Sequence, residues 1–328
     1  MNILFTSAGS GRRVRLVKAF IKRLKSVDPA GKVVVVDENP FSPGLYIAKK
    51  SSMVPRISSP HFDSRLLKIC RREKVDWIIP TTDADIYHLA KNRERYKKKE
   101  IKILVSDLRS IKICNNKRAF HEYFSEKNIP LPKSIFSLKE LKGNTEFPLI
   151  IKPVQGFGTK NTYVLKNNKE LNFFYGFIDN PFLQEHIAGV EYTIDVLLDL
   201  TGKPVSVVPR ERMYTRDGVS DVGITVKKQN LIDFGLAVAK SLKFVGPINI
   251  QCILQDSGML SLIEINPRFS GGISLTMDSG ADFALWILKM FKGQDIKNQV
   301  GKFTPSMTMM VYEETCNRLK KYLFKKSI

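Results

Sequence analysis

A chain of 328 residues with 43% hydrophobic content is long enough for two or three packed units whose cores need no disulfide staples. Its four cysteines, Cys70, Cys114, Cys252 and Cys316, are widely spaced without a CxxC pair, which argues against a disulfide framework or zinc site and for a reducing, cytoplasmic setting. No apolar run reaches membrane-spanning length, no charged leader precedes the first apolar run, and the net charge of +21 lies in scattered lysines and two basic runs without a nucleic-acid motif, so neither a membrane span nor a nucleic-acid partner is expected.

Residues 2–6, NILFT, predict a buried strand. The turn SAGSG, the amphipathic stretch RRVRLVKAFIKRLK and the apolar run VVVVD follow. Strand, glycine turn, helix, strand and acid is the layout of a nucleotide-binding half-sheet. Gly9 and Gly11 fit the first two glycines of the dinucleotide fingerprint, but Val14 stands where the third should be. Further strands are expected at VDWIIPTTD and IKILVSD, giving an open, mostly parallel sheet that ends near Asp107. Ser110 to Asn128 predicts one helix, closed by the prolines of IPLPK.

In FPLIIKPVQGFGTKNTYVL an apolar strand delivers Lys152 at its end, and QGFGT turns the chain into a second strand. Glycines there let backbone N–H groups approach anionic oxygens, although without a following GKS or GKT this is no Walker loop. NPFLQEHIAGVEYTIDVLLD predicts two alternating strands joined by HIAG. The next stretch predicts a strand, a basic segment with Arg210, Arg212 and Arg216, and a glycine-punctuated loop. Guanidinium forks at Arg210 and Arg216 suit a carboxylate or phosphate of the substrate, with a solvent-facing lid as the alternative. NLIDFGLAVAKSLKFVG predicts an amphipathic helix with a glycine stop.

INIQCIL and SLIEINPRFSGG, either side of QDSG, predict a hairpin. A two-residue loop at Ser257 and Gly258 places Gln251 opposite Glu264 and Asn249 opposite Asn266, while Ile263 and Ile265 point into a core. A carboxylate ringed by amide oxygens suits magnesium, and Arg268 adds a fixed cation beside it. An ordinary amphipathic hairpin with a polar outer face is the alternative. The remainder predicts a core helix around Trp286, a strand MTMMVYEE and a basic amphipathic tail.

The run INPRFSGG closely resembles the metal-binding strand of the ATP-grasp superfamily, and NIQ with EINPR is most similar to carbamoyl phosphate synthase large-subunit domains. IKPVQGFGT resembles the family's phosphate flap, and NNKRAFHEYF the opening of its small lobe. The resemblance implies an N-terminal open parallel α/β unit over 1–110, a small ATP-grasp lobe with a glycine-rich flap over 111–185, and a large lobe with antiparallel sheets over 186–328. It further implies an ADP-forming ligase joining a carboxylate to an amine or ammonia through an acyl phosphate, using ATP with Mg2+, or Mn2+ in its place.

By the same resemblance Lys117, Lys152 and the flap Gly156, Phe157, Gly158 and Thr159 hold phosphates, Glu185, His186 and Ile187 meet adenine, and Glu191 meets ribose. Gln251, Glu264 and Asn266 hold the metal, and Arg268, Lys152 and Asn266 form the catalytic set. Ser7, Ala8, Gly9, Asp37 and the loop Thr81–Asp85, with Asp83 at its centre, are candidate substrate contacts. HIAG is about a residue shorter than in synthase domains, which leaves the ribose carboxylate open. The absence of an internal repeat and of an amidotransferase signature speaks against carbamoyl phosphate synthesis itself. The partners are then small-molecule acids and amines, and a homodimer is compatible with the reading. An NAD(P)-dependent enzyme using the N-terminal half-sheet and a non-catalytic nucleotide- or polyanion-binding module are the alternatives.

Overall fold

Five short runs make the first sheet: β1 (Asn2–Thr6), β2 (Lys32–Asp37), β3 (Lys50–Met53), β4 (Trp77–Ile79) and β5 (Lys102–Ile103). All pair in parallel, in the order β3-β2-β1-β4-β5. The central strands are buried on both faces, which is why their sequences are continuous apolar runs rather than alternating ones. Helix Gly11–Val27 covers one face through Leu16, Val17, Phe20 and Leu24, and helix Phe62–Glu73 covers the other through Phe62, Leu66 and Ile69. Edge strand β3, KSSM, carries no apolar run and escaped the sequence pattern. The structure is a computed structural model that describes residues 1–9, 11–141, 146–156 and 161–318.

The single helix expected over 110–128 is two helices, Leu108–Asn115 and Lys117–Glu126. Asn116 breaks it: its backbone is extended, and its side chain accepts hydrogen bonds from the amides of Arg118 and Ala119, starting a new helix as an N-cap.

The second sheet is antiparallel and small, β6 (Ser134–Ile135), β7 (Leu149–Pro153), β8 (Tyr163–Leu165) and β9 (Pro181–Glu185), ordered β6-β9-β7-β8 around its own core of Leu149, Ile151, Leu165, Leu171 and Leu183. The third sheet comprises β10 (Val190–Leu198), β11 (Pro204–Arg216), β12 (Val219–Thr225), β13 (Gly246–Leu254), β14 (Leu260–Asn266) and β15 (Thr308–Met310), in the antiparallel order β14-β13-β10-β11-β12-β15. The apolar face of this sheet and one face of the first sheet belong to a single continuous core. The fold class expected from the sequence therefore holds.

Three local expectations are corrected. The basic segment Arg210–Arg216 is not a loop or lid but the second half of β11, which turns into β12 through Asp217 and Gly218. Both turn residues have positive φ, 51° and 74°, as an Asp-Gly hairpin turn requires. Helix Gln229–Lys240 ends at Ser241, and Gly246 opens β13 rather than stopping the helix. The last strand is only Thr308–Met310; residues 311–318 have no regular structure, and the rest of the expected basic tail lies outside the described residues.

The hairpin β13–β14 has the expected pairs, Gln251 with Glu264 and Asn249 with Asn266, reached by a different route. Its loop has three residues, Asp256–Gly258, with Gly258 at φ 85° and its amide bonded to the Gln255 carbonyl. That extra loop residue shifts the register by one, and a bulge between Gln251 and Cys252, opposite Ile263, shifts it back. Consequently Leu262 and Ile265 enter the core, whereas Ile263 is only half-buried. Among the described residues no helix is long and apolar enough to cross a membrane, and all four cysteines are free.

Candidate functional site

Residues directly opposite in an antiparallel pair share a face. Glu264 and Asn266 of β14, Gln251 and Asn249 of β13, Glu191, Thr193 and Asp195 of β10, and Arg212 and Arg210 of β11 therefore form one polar face across the third sheet. The opposite face, with Ile265, Ile250, Ile194 and Val196, is core. Acceptors lie toward one edge of the polar face and guanidinium groups toward the other.

Two recesses meet this face. The first is a cleft between the small sheet and β14, lined by Lys117, Lys152, Gly156, Phe182, Gln184, Ile263, Glu264 and Asn266. Strand β7 carries Lys152 into it, where Nζ donates to Gln184 Oε1 at 2.8 Å and lies 5.4 Å from the centre of the Phe182 ring. Burial pushes this ammonium down to about 8, with Glu264 opposing the shift. Lys117, in the first turn of its helix, donates to the Gly156 carbonyl at 3.2 Å and is likewise lowered by burial, again opposed by Glu264. Each lysine is thus held by a neutral acceptor. Phe157, Gly158 and Thr159 of the flap lie outside the described residues.

At the exit of β9 the residue that lines the cleft is Gln184, which sequence reasoning passed over; Glu185, His186 and Ile187 do not line it. Glu185 is exposed, accepting the Lys133 amide at 3.1 Å, and His186 and Ile187 lie in the connection to the third sheet. Glu191 sits 3.3 Å from Arg212 Nε; burial raises its carboxyl, against the pull of Arg212.

The second recess is lined by Arg210, Arg212, Arg268, Asn249, Gln251, Ser270 and Gly272, and again by Glu264 and Asn266, which form the wall common to both. Arg210 is 2% exposed; its Nε donates to Asp195 Oδ2 and its Nη2 to Ser270 Oγ, both at 2.9 Å. A Cβ on Gly272 would fall 2.4 Å from Arg210 Nη1, so only glycine admits the guanidinium there. Arg268 forms a two-pronged bridge to Asp83, Nε to Oδ1 and Nη2 to Oδ2, each 2.8 Å. Asp83 opens helix Asp83–Lys91, so this fork joins the first sheet's strand-end loop to the exit of β14.

The other expected substrate contacts are placed differently. Arg216 does not line this recess; it pairs with Asp221 at 2.9 Å, and Asp221 also receives Arg12. At the ends of β1 and β2, a Cβ on Gly9 would meet Ser42 Oγ at 1.9 Å and Asp37 Oδ2 at 2.6 Å, while Ser7 Oγ donates to Asp85 Oδ1 at 3.0 Å. Burial raises the carboxyl of Asp85 despite bonds from Thr82, Thr6 and Ser7. Ala8 is fully buried beside them. Arg13 is a residue that the basic helix pattern concealed: burial lowers its guanidinium, Arg268 lowers it further against the pull of Asp85, Asp83 and Asp37, and its Nη1 donates to the Ser7 carbonyl at 3.3 Å.

Among the described residues no three His, Cys, Asp or Glu side chains cluster as a metal cage. The chemistry that remains, one carboxylate with amide oxygens from Gln251 and Asn266 across a registered hairpin, fits magnesium shared with phosphate oxygens rather than an all-protein cage. Asn266 now donates through Nδ2 to Glu264 Oε1 at 2.8 Å and accepts Arg268 Nη2 at 3.3 Å, so turning its amide over would present its oxygen beside the Glu264 carboxylate.

Residues 3–104 match the family model of the PylC-like N-terminal domain, and residues 178–315 match the model described as ATP-grasp in the biosynthetic pathway with Ter operon. The chain therefore carries an ATP-grasp domain. The chain is 24% identical over 311 residues to the carbamoyl phosphate synthase large chain of Methanobrevibacter smithii, covering 83% of itself and 28% of that protein. It is also 24% identical over 265 residues to a carbamoyl-phosphate synthase of the same organism, covering 74% and 69%. The chain thus spans little more than a quarter of the first of these relatives. Its ATP-grasp fold is shared with the biotin carboxylase domain of Hydrogenobacter thermophilus 2-oxoglutarate carboxylase, solved with MgADP and bicarbonate, at a TM-score of 0.74 and 17% identity over 94% of this chain and 73% of that one. The N5-carboxyaminoimidazole ribonucleotide synthetase of Thermotoga maritima gives 0.66 at 18% identity, covering 90% and 77%.

Proposed function

We propose that the chain is an ATP-dependent, ADP-forming ligase that joins a small-molecule carboxylate to an amine or ammonia through an acyl phosphate. The observation that carries this reading is the common wall: Glu264 and Asn266 face both a cleft holding two lysines that have no salt bridge among the described residues and a recess walled by arginines. In the first step a carboxylate oxygen forms a bond to the γ-phosphorus as the bond to the bridging oxygen of ADP breaks. In the second, the amine lone pair forms the C–N bond, the acyl C–O bond breaks with its electrons on phosphate, and an N–H proton leaves with that phosphate. Such chemistry asks for positioned cations and exclusion of water rather than a protein nucleophile.

Lys117 and Lys152 bind the polyphosphate, and Glu264, Gln251 and Asn266 would hold magnesium, which would supply positive charge against that of the polyphosphate. Arg268, fixed by Asp83, supplies a guanidinium at the transferred group. An NAD(P) site on the first sheet is disfavoured because the strand-end loop is filled from within: Gly9 packs on Ser42 and Asp37, and the hydroxyls of Thr6 and Ser7 are taken by Asp85.

Thermal stabilisation separates the readings. MgATP is expected to raise the melting temperature well above any shift from NAD or NADP, since a ligand that binds only the folded state stabilises it by mass action. Equal or greater stabilisation by a nicotinamide dinucleotide would overturn the proposal. ADP release with mixed carboxylic acids and amines tests the reaction itself.

A further inference from the structure

Beside helix Gly11–Val27 lies a cavity of about 700 Å³, against about 100 Å³ for the arginine recess. Sites for small molecules span roughly 300–1,000 Å³ and combine apolar walls with a few placed polar groups. One wall is the irregular segment 311–318, which is held at three points: the Val311 amide donates to the Asp221 carbonyl at 2.9 Å, Glu314 pairs with Lys18 at 3.2 Å, and Arg318 Nη2 donates to the Tyr46 carbonyl at 3.3 Å. Val14, Pro43, Ile47, Met309 and Val311 give the cavity apolar surface. Five cations line it, Arg12, Arg15, Lys18, Arg216 and Arg318, against two carboxylates, Glu313 and Glu314. Glu314 is taken by Lys18, and Arg12 and Arg216 divide the single carboxylate of Asp221, one oxygen each. Burial lowers the Arg12 guanidinium; Asp221 opposes the shift, and Arg216 and Arg210 add to it. Gly271 forms the partition toward the arginine recess: it lines both spaces, and a Cβ there would fall 2.5 Å from Val219 Cγ1.

We propose that this cavity is a small-molecule site separate from the cleft and the recess, and that it takes an anionic amphiphile: a carboxylate or phosphate head at Arg12 and Arg216, with an apolar body on Val14, Pro43, Ile47, Met309 and Val311. The head supplies the second anion that two guanidinium groups sharing one carboxylate lack, and charge-assisted bonds to arginine are among the strong ones. A cationic ligand meets like charge on most of the charged walls. Residues 319–328 of the chain itself are poor occupants for the same reason, since they hold four lysines and no Asp or Glu. A fully polar anion would leave the apolar walls in contact with water, which is why the body belongs to the ligand as much as the head does.

The test titrates butanoate, hexanoate and octanoate into the full chain, with octyl phosphate as the alternative head and octylammonium as the control of opposite charge. Alkylation of Cys316, a half-buried thiol that lines the cavity, locates the binding, and Cys114, which lines the cleft, is the internal reference. Affinity is expected to tighten about fourfold per added methylene, the fold-change of burying one CH2. Octylammonium should bind at least about tenfold more weakly than octanoate, the loss of a charge-assisted contact. Saturating octanoate should slow alkylation of Cys316 and leave Cys114 at its own rate. Ile47→Trp, which fills the body of the cavity, should remove the dependence on chain length, whereas Arg12→Gln should weaken octanoate at least about tenfold and keep that dependence. No saturable binding, equal binding of octanoate and octylammonium, affinity independent of chain length, or an unchanged Cys316 rate in saturating octanoate each overturns the proposal. These four readouts use the wild-type chain, so poor folding of Ile47→Trp leaves it open to refutation. None of them requires turnover, so their failure leaves the ligase reading intact.

Discussion

The two recesses on either side of Glu264 and Asn266 treat positive charge in opposite ways. In the cleft, Lys152 donates to an amide oxygen and Lys117 to a backbone carbonyl, neither has a salt bridge among the described residues, and burial lowers both ammonium groups. In the other recess every guanidinium has its own carboxylate: Arg210 with Asp195, Arg212 with Glu191, Arg268 with Asp83. Desolvated lysines with no salt bridge among the described residues favour an anion brought from outside, and on the proposed reading a polyphosphate is that anion. Paired arginines are already neutralised, so they fix shape and orientation and leave room for less charged reactants. Cations brought to the two sides of Glu264 and Asn266 by different elements thus sit in different surroundings, and the carboxylate partner distinguishes them.

Removing the common wall should break the comparison altogether. Glu264→Gln keeps the size and the amide-like bonding of the position but deletes the one carboxylate shared by both recesses. Loss of ADP release by roughly 10²–10³-fold is expected, of the order seen when one transition-state charge contact is removed, together with loss of the magnesium dependence of nucleotide binding. Titrations of MgADP and MgATP affinity across magnesium concentrations check it, and unchanged metal dependence would sink the metal assignment.

Lys152→Met sharpens the claim that an unpaired, buried ammonium waits for an anion. Losing one charge-assisted contact of about 1.5–3 kcal/mol predicts roughly 10- to 150-fold weaker MgATP binding. The free protein should become more stable, because the desolvated charge is gone. The sign follows from linkage. The ammonium titrates near 8 in the folded state but near 10.5 when unfolded, so between these values the unfolded chain binds more protons and stability rises with pH. Below pH 8 the burial penalty is fully present. Nucleotide affinity should move the other way, falling as pH rises through 8 in wild type but not in Lys152→Met. Calorimetry in buffers of different ionisation enthalpy would detect the corresponding proton uptake at pH 8; no uptake would remove Lys152 from the phosphate site.

Much of this was legible in the sequence where local pattern carries the information. Alternation across INIQCIL and SLIEIN set the pairing of Gln251 with Glu264, although the correct register arose from a three-residue loop and a compensating bulge. A one-residue loop error and a one-residue bulge cancel, and period-two patterning reports only their sum. What was illegible depends on partners far along the chain. The Arg268–Asp83 fork spans 185 residues, and the Lys18–Glu314 contact at the wall of the cavity spans 296. Arg13 reads as one more basic residue of a helix until the packing places it near Arg268. The Asp217–Gly218 turn was within reach, since Asp-Gly between alternating runs signals a hairpin, but the dense arginines masked the alternation.

Within the arginine recess, positioning can be separated from substrate contact by comparing Arg268→Lys with Asp83→Asn. If the fork mainly aims the guanidinium, both variants lose one arm of a charge-assisted pair, and both should lower ADP release by a similar factor of about 10–100 while leaving MgADP affinity in the other cleft near wild type. If Asp83 instead contacts substrate, Asp83→Asn should raise KM for the acid without matching the kcat effect of Arg268→Lys. A split of that kind would reassign Asp83 and weaken the contrast between poised and neutralised cations.

The smallest effect should come from Gly272→Ala, which perturbs the neutralised recess without touching any charge. A Cβ there falls 2.4 Å from Arg210 Nη1. A flexible arginine would swing aside at little cost, but this one is 2% exposed and held by Asp195 and Ser270, so the clash must be absorbed by distorting those bonds. Overpacking of this kind costs about 1–3 kcal/mol, which should appear as a lower urea midpoint at unchanged slope. Gly176→Ala provides the matched control: it lies in helix Asn168–Phe177, where an added methyl would meet nothing within 4 Å, so the same substitution should be neutral or stabilise by up to about 1 kcal/mol. Equal behaviour of the two variants would show that Arg210 is free to move, and a mobile Arg210 would serve as a ligand contact rather than as fixed scaffolding.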